Sequence, residues 1–258
     1  KRVLRLADAL LPLLPGGDGV VSFVGAGGKT SLLLHFAREL ASDGRAVLVT
    51  TTTNLADPRG DGDPFTRIVF RPELESGSAA GVGAPEPSPG VTLLAARPAD
   101  QPGKLRGIHP SHVAALREAW GVVLVEADGS KRLPVKAPAP YEPVLPEGTS
   151  LVVGVVGLDA LGWPMDERTV HRPELFAAVT GCAPGEPIGW DHLVALVRHP
   201  EGLFKGADAP RVVLLNKVDE APFVPSPGQV AALAADLVLL SGEEGDVRFF
   251  FTLGEPAR

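Results

Sequence analysis

A glycine-rich segment followed by Lys-Thr is the first place in the chain where residue types and spacing indicate chemistry. It follows an apolar run, opens a helical pattern, and reads Gly25-Ala26-Gly27-Gly28-Lys29-Thr30-Ser31. Glycines let backbone N–H groups approach a polyphosphate closely, and the N-terminus of the following helix adds partial positive charge. In such a loop the lysine contacts the β- and γ-phosphates, and the Thr30 hydroxyl ligates Mg²⁺. We therefore predict that these seven residues bind the phosphates of a nucleotide.

The spacing of this segment differs from that of the standard phosphate loop. In the G-x-x-x-x-G-K-[ST] pattern the first glycine would fall on Phe23, so the loop has the shorter G-x-x-G-K-T form. Mur ligases also carry a loop of this shorter form. The alternative is a tight strand-to-helix turn in which Lys-Thr occurs by chance.

Two acids follow a second apolar run. Val122–Val125 leads directly into Glu126-Ala127-Asp128-Gly129-Ser130. A carboxylate at the end of a buried strand beside a phosphate loop is suited to hold magnesium or to orient the attacking water. The step from Glu126 to Gly129 has the spacing of the D-x-x-G motif of GTPases, with Glu in place of Asp. We predict that Glu126 and Asp128 are catalytic and bind Mg²⁺ together with Thr30.

Two questions stay open for these acids. Glu126 and Asp128 share one face if the strand continues through both, so the sequence does not say which carboxylate faces the metal. The alternative to a catalytic role is a solvated turn, because Asp-Gly is a common turn pair.

A third motif indicates recognition of the base. Asn216-Lys217-Val218-Asp219 follows the apolar run Val212–Leu215 and matches the N-K-x-D motif of GTPases. An Asp carboxylate can accept from the N1–H and 2-amino groups of guanine, and adenine presents neither. Ser241 follows the next apolar run, where GTPases contact the guanine O6. We predict that the base is bound by Asn216, Lys217, Asp219 and Ser241, with GTP favoured over ATP. A chance surface loop is the alternative.

Other candidates follow the ends of predicted strands. Thr51 and Thr52 lie in a threonine run after Ala46–Val49, and Lys136 follows the two acids, where it could act as a charge clamp. His171 and Arg172 come after a glycine-containing loop and could neutralise phosphate charge. For this last pair, a salt bridge at a helix start is the alternative.

Short, fully apolar runs alternate with helical patterns along the whole chain. This order predicts an α/β fold with a mostly parallel, doubly wound P-loop NTPase sheet and helices on both faces. The ligand would bind at the carboxyl ends of the strands. We predict a single domain over residues 1–258, with an irregular, loop-rich insertion at about 56–103. Weaker strands are predicted at 66–70 and 91–95, and an edge strand at 247–253.

Composition excludes several classes of protein. The net charge is −7, and neither Lys nor Arg forms a run, so we expect no binding to nucleic acid or to an anionic membrane. No apolar stretch approaches the length of a membrane span. Cys182 is the single cysteine, which excludes an internal disulfide and fits a reducing compartment. We therefore expect a cytoplasmic protein.

Taken together and in this order, the motifs resemble the YqeC-like family, described as accessory proteins of selenium-dependent molybdenum hydroxylases. Besides the three motifs above, the resemblance includes Leu133–Pro138, Glu142-Pro143-Val144, Val156–Gly162 and His171–Glu174. Tyr141 stands where the usual form of the family has His. The resemblance implies a P-loop nucleotide-binding protein that assists maturation of a molybdenum or selenium cofactor. Its ligands would be Mg²⁺ and GTP or ATP, and its partners the hydroxylase or its cofactor-maturation proteins.

Three functions are compatible with these residues. The first is a magnesium-dependent NTPase whose hydrolysis drives cofactor maturation on a partner. The second is a nucleotide-gated chaperone with little turnover. The third is an ATP-dependent ligase or kinase that acts on a small acid, as the short loop and Thr50–Asn54 suggest.

Overall fold

A mostly parallel sheet lies at the centre of the structure, a computed structural model that describes residues 5–59, 64–78, 83–242 and 247–252. In this part of the chain, the main sheet has nine strands in the order β14-β13-β12-β10-β1-β8-β2-β5-β4. All neighbouring pairs are parallel except β13 and β14. The strands are β1 Gly19–Gly25, β2 Ala46–Thr51, β3 Leu55–Ala56, β4 Phe65–Phe70, β5 Gly90–Ala95, β6 Arg97–Pro98, β7 Lys104–Arg106, β8 Val122–Glu126, β9 Val135–Lys136, β10 Thr149–Gly157, β11 Val170–His171, β12 Arg211–Asn216, β13 Leu237–Ser241 and β14 Val247–Thr252.

Helices cover both faces of the sheet, which confirms the predicted doubly wound α/β architecture. Helices α1 and α2 cover the face of the sheet that carries Phe23 and Leu124, and helices α3 to α6 cover the opposite face. Because both faces are buried, the central strands are mostly apolar; all five residues of β8, for example, are buried, and four of them are apolar. The helices are α1 Leu6–Leu10, α2 Lys29–Ser42, α3 Val113–Trp120, α4 Pro173–Thr180, α5 Trp190–Arg198 and α6 Pro227–Ala231.

The region predicted as a loop-rich insertion contributes directly to the sheet. The strands predicted at 66–70 and 91–95 are present as β4 and β5, and β5 pairs with both β2 and β4. Around them, β3, β7 and β6 form a separate three-stranded antiparallel sheet that the sequence does not predict. This small sheet follows β2 directly, and so it stands at the carboxyl edge of the main sheet.

Strand order fixes where the sequence motifs lie relative to one another. The strand that leads into the phosphate loop, β1, lies between β8, which ends in Glu126, and β10. On the side of β8 the next strand is β2, whereas on the side of β10 the next strand is β12, which ends in Asn216. The acids and the N-K-x-D motif therefore flank the phosphate loop on opposite sides.

No helix in the described ranges is long and apolar enough to cross a membrane.

Candidate functional site

A large cleft opens at the carboxyl ends of β1, β2, β8 and β12. Its volume is about 1390 Å³, larger than the roughly 300–1,000 Å³ of most pockets for a single small molecule. The phosphate-loop residues Gly27–Ser31 and the acid Glu126 line its floor. One wall contains Lys131, Arg132 and Arg172, and the other is built by the small sheet of β3 and β7.

Close backbone packing explains the glycines of the loop. A Cβ atom on Gly25 would lie 2.3 Å from the Val155 carbonyl oxygen, and one on Gly27 would lie 2.2 Å from the Gly157 nitrogen. Both glycines also have positive φ, at 93° and 82°. The loop is therefore pressed against the end of β10, and only glycine fits at these two positions.

The N–H groups of the loop divide into two sets. Those of Gly25, Ala26 and Gly27 donate to Asp128 Oδ2, Val155 O and Leu133 O within the protein. Helix α2 begins at Lys29 after Gly28, which makes no side-chain cap. The first N–H groups of a helix have no intrahelical acceptor, so those of Lys29, Thr30 and Ser31 are the donors offered to a ligand in the cleft.

Lys29 is buried among the predicted catalytic acids. Its Nζ lies 2.9 Å from Asp128 Oδ1 and 3.4 Å from Glu126 Oε1, and it donates to the Asp128 carbonyl oxygen at 2.6 Å. Burial alone would lower the pKa of Lys29, but the charges of Asp128 and Glu126 outweigh burial and raise it above its ordinary value. Lys29 is therefore a fixed cation, and it must exchange some of these contacts to reach a phosphate.

Oxygen ligands suited to magnesium meet at Thr30 and Glu126. The Thr30 hydroxyl donates to Glu126 Oε2 at 2.7 Å, so a hydroxyl and a carboxylate oxygen lie side by side at the start of α2. Mg²⁺ prefers such hard oxygen donors and keeps several waters, so these two residues fit the ion. Asp128 fits less well, because its carboxylate already contacts Lys29, Lys136 and the Gly25 N–H.

A chain of buried charges extends from Asp128 to the cleft wall. Lys136 Nζ lies 2.8 Å from both Asp128 Oδ2 and Glu142 Oε2. Arg172 donates two hydrogen bonds to the Glu142 carboxylate, at 2.7 and 3.1 Å. Lys136 itself is buried and lies outside the cleft lining, so it positions Asp128 from behind. The sequence alone predicts no role for Glu142, because its pairing with Lys136, six residues earlier, and Arg172, 30 residues later, forms only in the fold.

Glu142 makes this chain of charges sensitive to acid. Burial alone would raise the pKa of Glu142, but Arg172 and Lys136 outweigh burial and lower it from 4.5 to about 2. A carboxylate with a lowered pKa stabilises the folded state above its unfolded pKa, and that stabilisation is lost as the pH falls through the folded pKa. The contribution of Glu142 to the unfolding free energy is therefore complete above pH 4.5 and disappears towards about pH 2.

We predict that Glu142→Gln removes this acid-sensitive contribution. The wild type should exceed the variant in unfolding free energy by roughly 3 kcal/mol near neutral pH, and the difference should shrink as the pH falls from 4.5 towards 2. Urea unfolding at a series of pH values measures it, with Glu147→Gln, an exposed carboxylate change, as the control. A difference independent of pH would contradict the lowered pKa.

His171 and Arg172 are neighbours in sequence with different charges at neutral pH. Burial, Arg172 and Lys136 lower the pKa of His171 from 6.5 to about 4, so its ring is neutral near pH 7. The cation of this pair is Arg172, which pairs with Glu142 rather than with an acid at the start of the following helix. Both side chains line the cleft.

Thr51 and Thr52 hold the backbone of the acid strand. The buried Thr51 hydroxyl donates to the Glu126 carbonyl oxygen at 2.9 Å, and the Thr52 N–H donates to the same oxygen at 3.2 Å. The Thr52 hydroxyl donates to the Val144 carbonyl oxygen. Thr52 lines the cleft, whereas Thr51 acts on Glu126 from within the sheet.

The predicted base-binding residues are only partly gathered at the cleft. Asn216 Nδ2 donates to the Gly27 carbonyl oxygen at 2.8 Å, and its Oδ1 accepts from the buried Ser241 hydroxyl at 2.9 Å. Asn216 thus braces the phosphate loop. Lys217 lines the cleft and pairs with Asp159 at 2.7 Å, while Asp219 is exposed and lies outside the cleft lining.

Strained backbone is concentrated at the cleft. Of the five described non-glycine residues with positive φ, four line it: Lys131, Arg132, Arg172 and Lys217. Such conformations cost free energy and persist where the surrounding structure enforces them, commonly at functional sites. The cationic rim of the cleft is therefore held in a fixed, unfavourable conformation rather than left to relax.

A second group of candidate metal ligands lies away from the cleft. Ligand atoms of Cys182, Glu186 and His192 all lie within 4.8 Å of one another. The Gly189 N–H donates to His192 Nδ1, so the neutral ring carries its proton on Nε2, which faces Glu186. A metal at Nε2 would require the opposite tautomer and the loss of this helix cap, and the arrangement is that of a packed helix start.

Comparisons with known proteins are consistent with one family. A family model described as "YqeC protein" matches residues 21–174. A relative from Escherichia coli (strain K12), described as "Uncharacterized protein YqeC", is 38% identical over 205 residues, which cover 78% of this chain and 77% of the relative. No solved structure matches the chain.

Proposed function

The chain belongs to the YqeC family. We propose that its cleft binds a magnesium–nucleoside triphosphate and hydrolyses it. The observation that carries the proposal is the meeting of Lys29, Thr30 and Glu126 at the uncapped start of α2. A lysine, a hydroxyl beside a carboxylate and a row of free helix N–H groups are together the donors and ligands that a magnesium–polyphosphate requires.

Each residue has a distinct part in this proposal. The N–H groups of Lys29, Thr30 and Ser31 receive the phosphates, and Lys29 moves from the acids to the β- and γ-phosphates. Thr30 and Glu126 would hold Mg²⁺, and the ion would supply charge neutralisation at the phosphates. Glu126 also lies where it can orient the attacking water, while Asp128 and Lys136 fix Lys29 and the loop backbone.

Thermal unfolding tests nucleotide binding directly. We expect GTP to raise the melting temperature in the presence of Mg²⁺, with a smaller effect of ATP and CTP and little effect of GTP in excess EDTA, because ligands that bind only the folded state stabilise it. If no nucleotide changes the melting temperature at millimolar concentration, the phosphate-loop proposal fails.

Guanine preference is the finer part of the proposal, and it rests on Asp219. Asp219 is exposed outside the cleft lining, so it must turn towards the cleft to meet a base there. In that position guanine offers the carboxylate two donors and adenine offers none, so discrimination of roughly tens-fold is expected. We predict that Asp219→Asn weakens GTP binding and improves binding of xanthosine triphosphate, whose 2-oxo group accepts from an amide. Competition against labelled GTP measures both effects, with Glu220→Gln, the neighbouring exposed carboxylate, as the matched control. If ATP displaces GTP at equal concentration, guanine preference is excluded.

The biological role we propose follows from family membership and the resemblance described above. Nucleotide turnover would assist maturation of the cofactor of a molybdenum- or selenium-dependent hydroxylase in the reducing cytoplasm. One observation favours a second candidate, a ligase or kinase acting on a small acid: the cleft extends well beyond the phosphate loop, as far as the small sheet. Nucleotide hydrolysis that rises only when a small acid is supplied would identify this second function.

A further inference from the structure

The part of the cleft beyond the phosphate loop has the features of a second binding site. The strand order places the N-K-x-D motif on one side of β1 and the acid strand β8, followed by β2, on the other. The wall formed by β3 and β7 stands past β2, because β3 follows β2 directly. A nucleotide whose base points towards β12 therefore has its terminal phosphate facing this wall.

The wall is rigidly joined to the catalytic strands. The Ile108 N–H donates to the Thr51 carbonyl oxygen at 2.9 Å, and Gly107 packs so closely that a Cβ atom there would lie 2.5 Å from the Thr53 carbonyl oxygen. β3 pairs with β7 through Leu55 and Leu105, both buried. The position of the wall relative to Glu126 is therefore set by backbone contacts and not by mobile side chains.

Two polar side-chain groups on this wall, those of Lys104 and Thr53, have no partner among the described residues. Within the described ranges Lys104 makes no ion pair, although it lines the cleft half-buried. The buried Thr53 hydroxyl has no hydrogen-bond partner there either, and it borders the same space beside Asn54. By contrast, the neighbouring Arg106 is matched by Glu75 and Asp100. An unmatched ammonium and an unpaired buried hydroxyl on two residues that line the same cleft indicate that an anion completes them.

We propose that this wall binds a second, anionic substrate, a small molecule with a phosphate or carboxylate group, opposite the terminal phosphate of the nucleotide. Lys104 provides its charge contact, and Thr53 and Asn54 provide its hydrogen bonds. The assignment deepens the proposed function and rests on it for the position of the nucleotide, but the subsite itself is defined by protein groups alone. The volume of about 1390 Å³ is sufficient for both ligands in one cleft.

Anion binding to the nucleotide-loaded protein tests the subsite. The full chain is saturated with Mg²⁺ and a non-hydrolysable GTP analogue, so that the phosphate loop is filled, and is then titrated calorimetrically with inorganic phosphate or with acetate. We expect one of the two anions to bind and Lys104→Ala to weaken it by about tenfold, as for the loss of a charge-assisted hydrogen bond. Tighter binding of phosphate would identify a phosphorylated substrate, and tighter binding of acetate a carboxylic acid.

Matched variants make the test specific. Arg117→Ala removes the same charge from the exposed side of α3, outside the cleft, and should leave anion binding unchanged. Thr53→Val keeps the shape of the side chain without its hydroxyl and should weaken anion binding by a smaller factor. If neither anion binds, or if wild type and Lys104→Ala bind the anion equally well, the proposal is overturned.

The proposal of a second subsite and the proposal of a nucleotide site can be disproved separately. If the protein binds no nucleotide, the same titration is run without the analogue, and anion binding that depends on Lys104 supports the subsite while the proposed function falls. If Lys104→Ala instead weakens GTP itself, Lys104 belongs to the nucleotide site and the second-substrate proposal is overturned.

Discussion

Replacement of Lys29 by alanine should abolish nucleotide binding and also destabilise the fold. The first effect follows from its place between the uncapped start of α2 and the predicted magnesium ligands. The second follows from burial, because Lys29 is 3% exposed and neutralises Asp128 and Glu126. Removing one partner from a buried ionic cluster commonly costs about 3–5 kcal/mol. Calorimetric titration with Mg²⁺-GTP and urea unfolding measure the two effects on the same protein.

A double variant separates binding from stability. In Lys29→Ala/Glu126→Gln one of the two carboxylates that lose Lys29 becomes neutral, while Asp128 keeps its contact with Lys136. Part of the lost stability should therefore return while nucleotide binding stays absent. Lys205→Ala is the control, since its partner Glu201 is a surface carboxylate. Full stabilisation of Lys29→Ala by GTP would show that this lysine does not contact phosphate.

Glu126→Gln should lower nucleotide turnover by roughly 100-fold or more and change nucleotide affinity only a few-fold. A group that holds the metal or orients the water acts mainly in the transition state, so its loss is seen in kcat. Glutamine retains an oxygen that can accept from the Thr30 hydroxyl, which now donates to the Glu126 carboxylate at 2.7 Å. Single-turnover hydrolysis and equilibrium binding, measured side by side, give the two quantities.

Asp128→Asn provides the contrasting result. Asp128 contacts Lys29, Lys136 and the Gly25 N–H, and is 1% exposed. We therefore expect its loss to reduce stability and nucleotide affinity together, since the loop and its lysine lose their common anchor. Unchanged turnover in Glu126→Gln, combined with a large loss in Asp128→Asn, would move the catalytic assignment from Glu126 to Asp128.

Local sequence patterns were sufficient to predict the main elements of the fold. Apolar runs such as Val122–Val125 and Leu151–Val156 form central strands, because a strand buried on both faces consists mostly of apolar residues. The glycine-rich turn, the helix that begins at Lys29 and the gathering of strand ends at one edge follow from the same patterns. The sequence pattern predicts a helix near Pro227–Ala235, but α6 ends at Ala231, and Ala234 has a positive φ.

From the sequence, Glu126 and Asp128 would share one face if the strand continued through both residues. The tertiary structure shows where that strand ends. Strand β8 ends at Glu126, so Glu126 and Asp128 no longer share a face. Glu126 turns to Thr30, and Asp128 turns to the backbone of Gly25 and to Lys136. The different roles proposed for two similar carboxylates thus depend on where one strand stops.

The sequence alone was sufficient for the approximate positions of the main strands and helices and of the predicted phosphate loop among them, because those signals are local. It did not determine that Lys136 and Arg172 meet at Glu142, or that β3 and β7 form the far wall of the cleft. These contacts join residues distant along the chain, and their partners are chosen by burial: an ion removed from water is tolerated only beside its opposite charge. Only the folded chain shows which charges are matched within the protein and which, like Lys104, are left to a ligand.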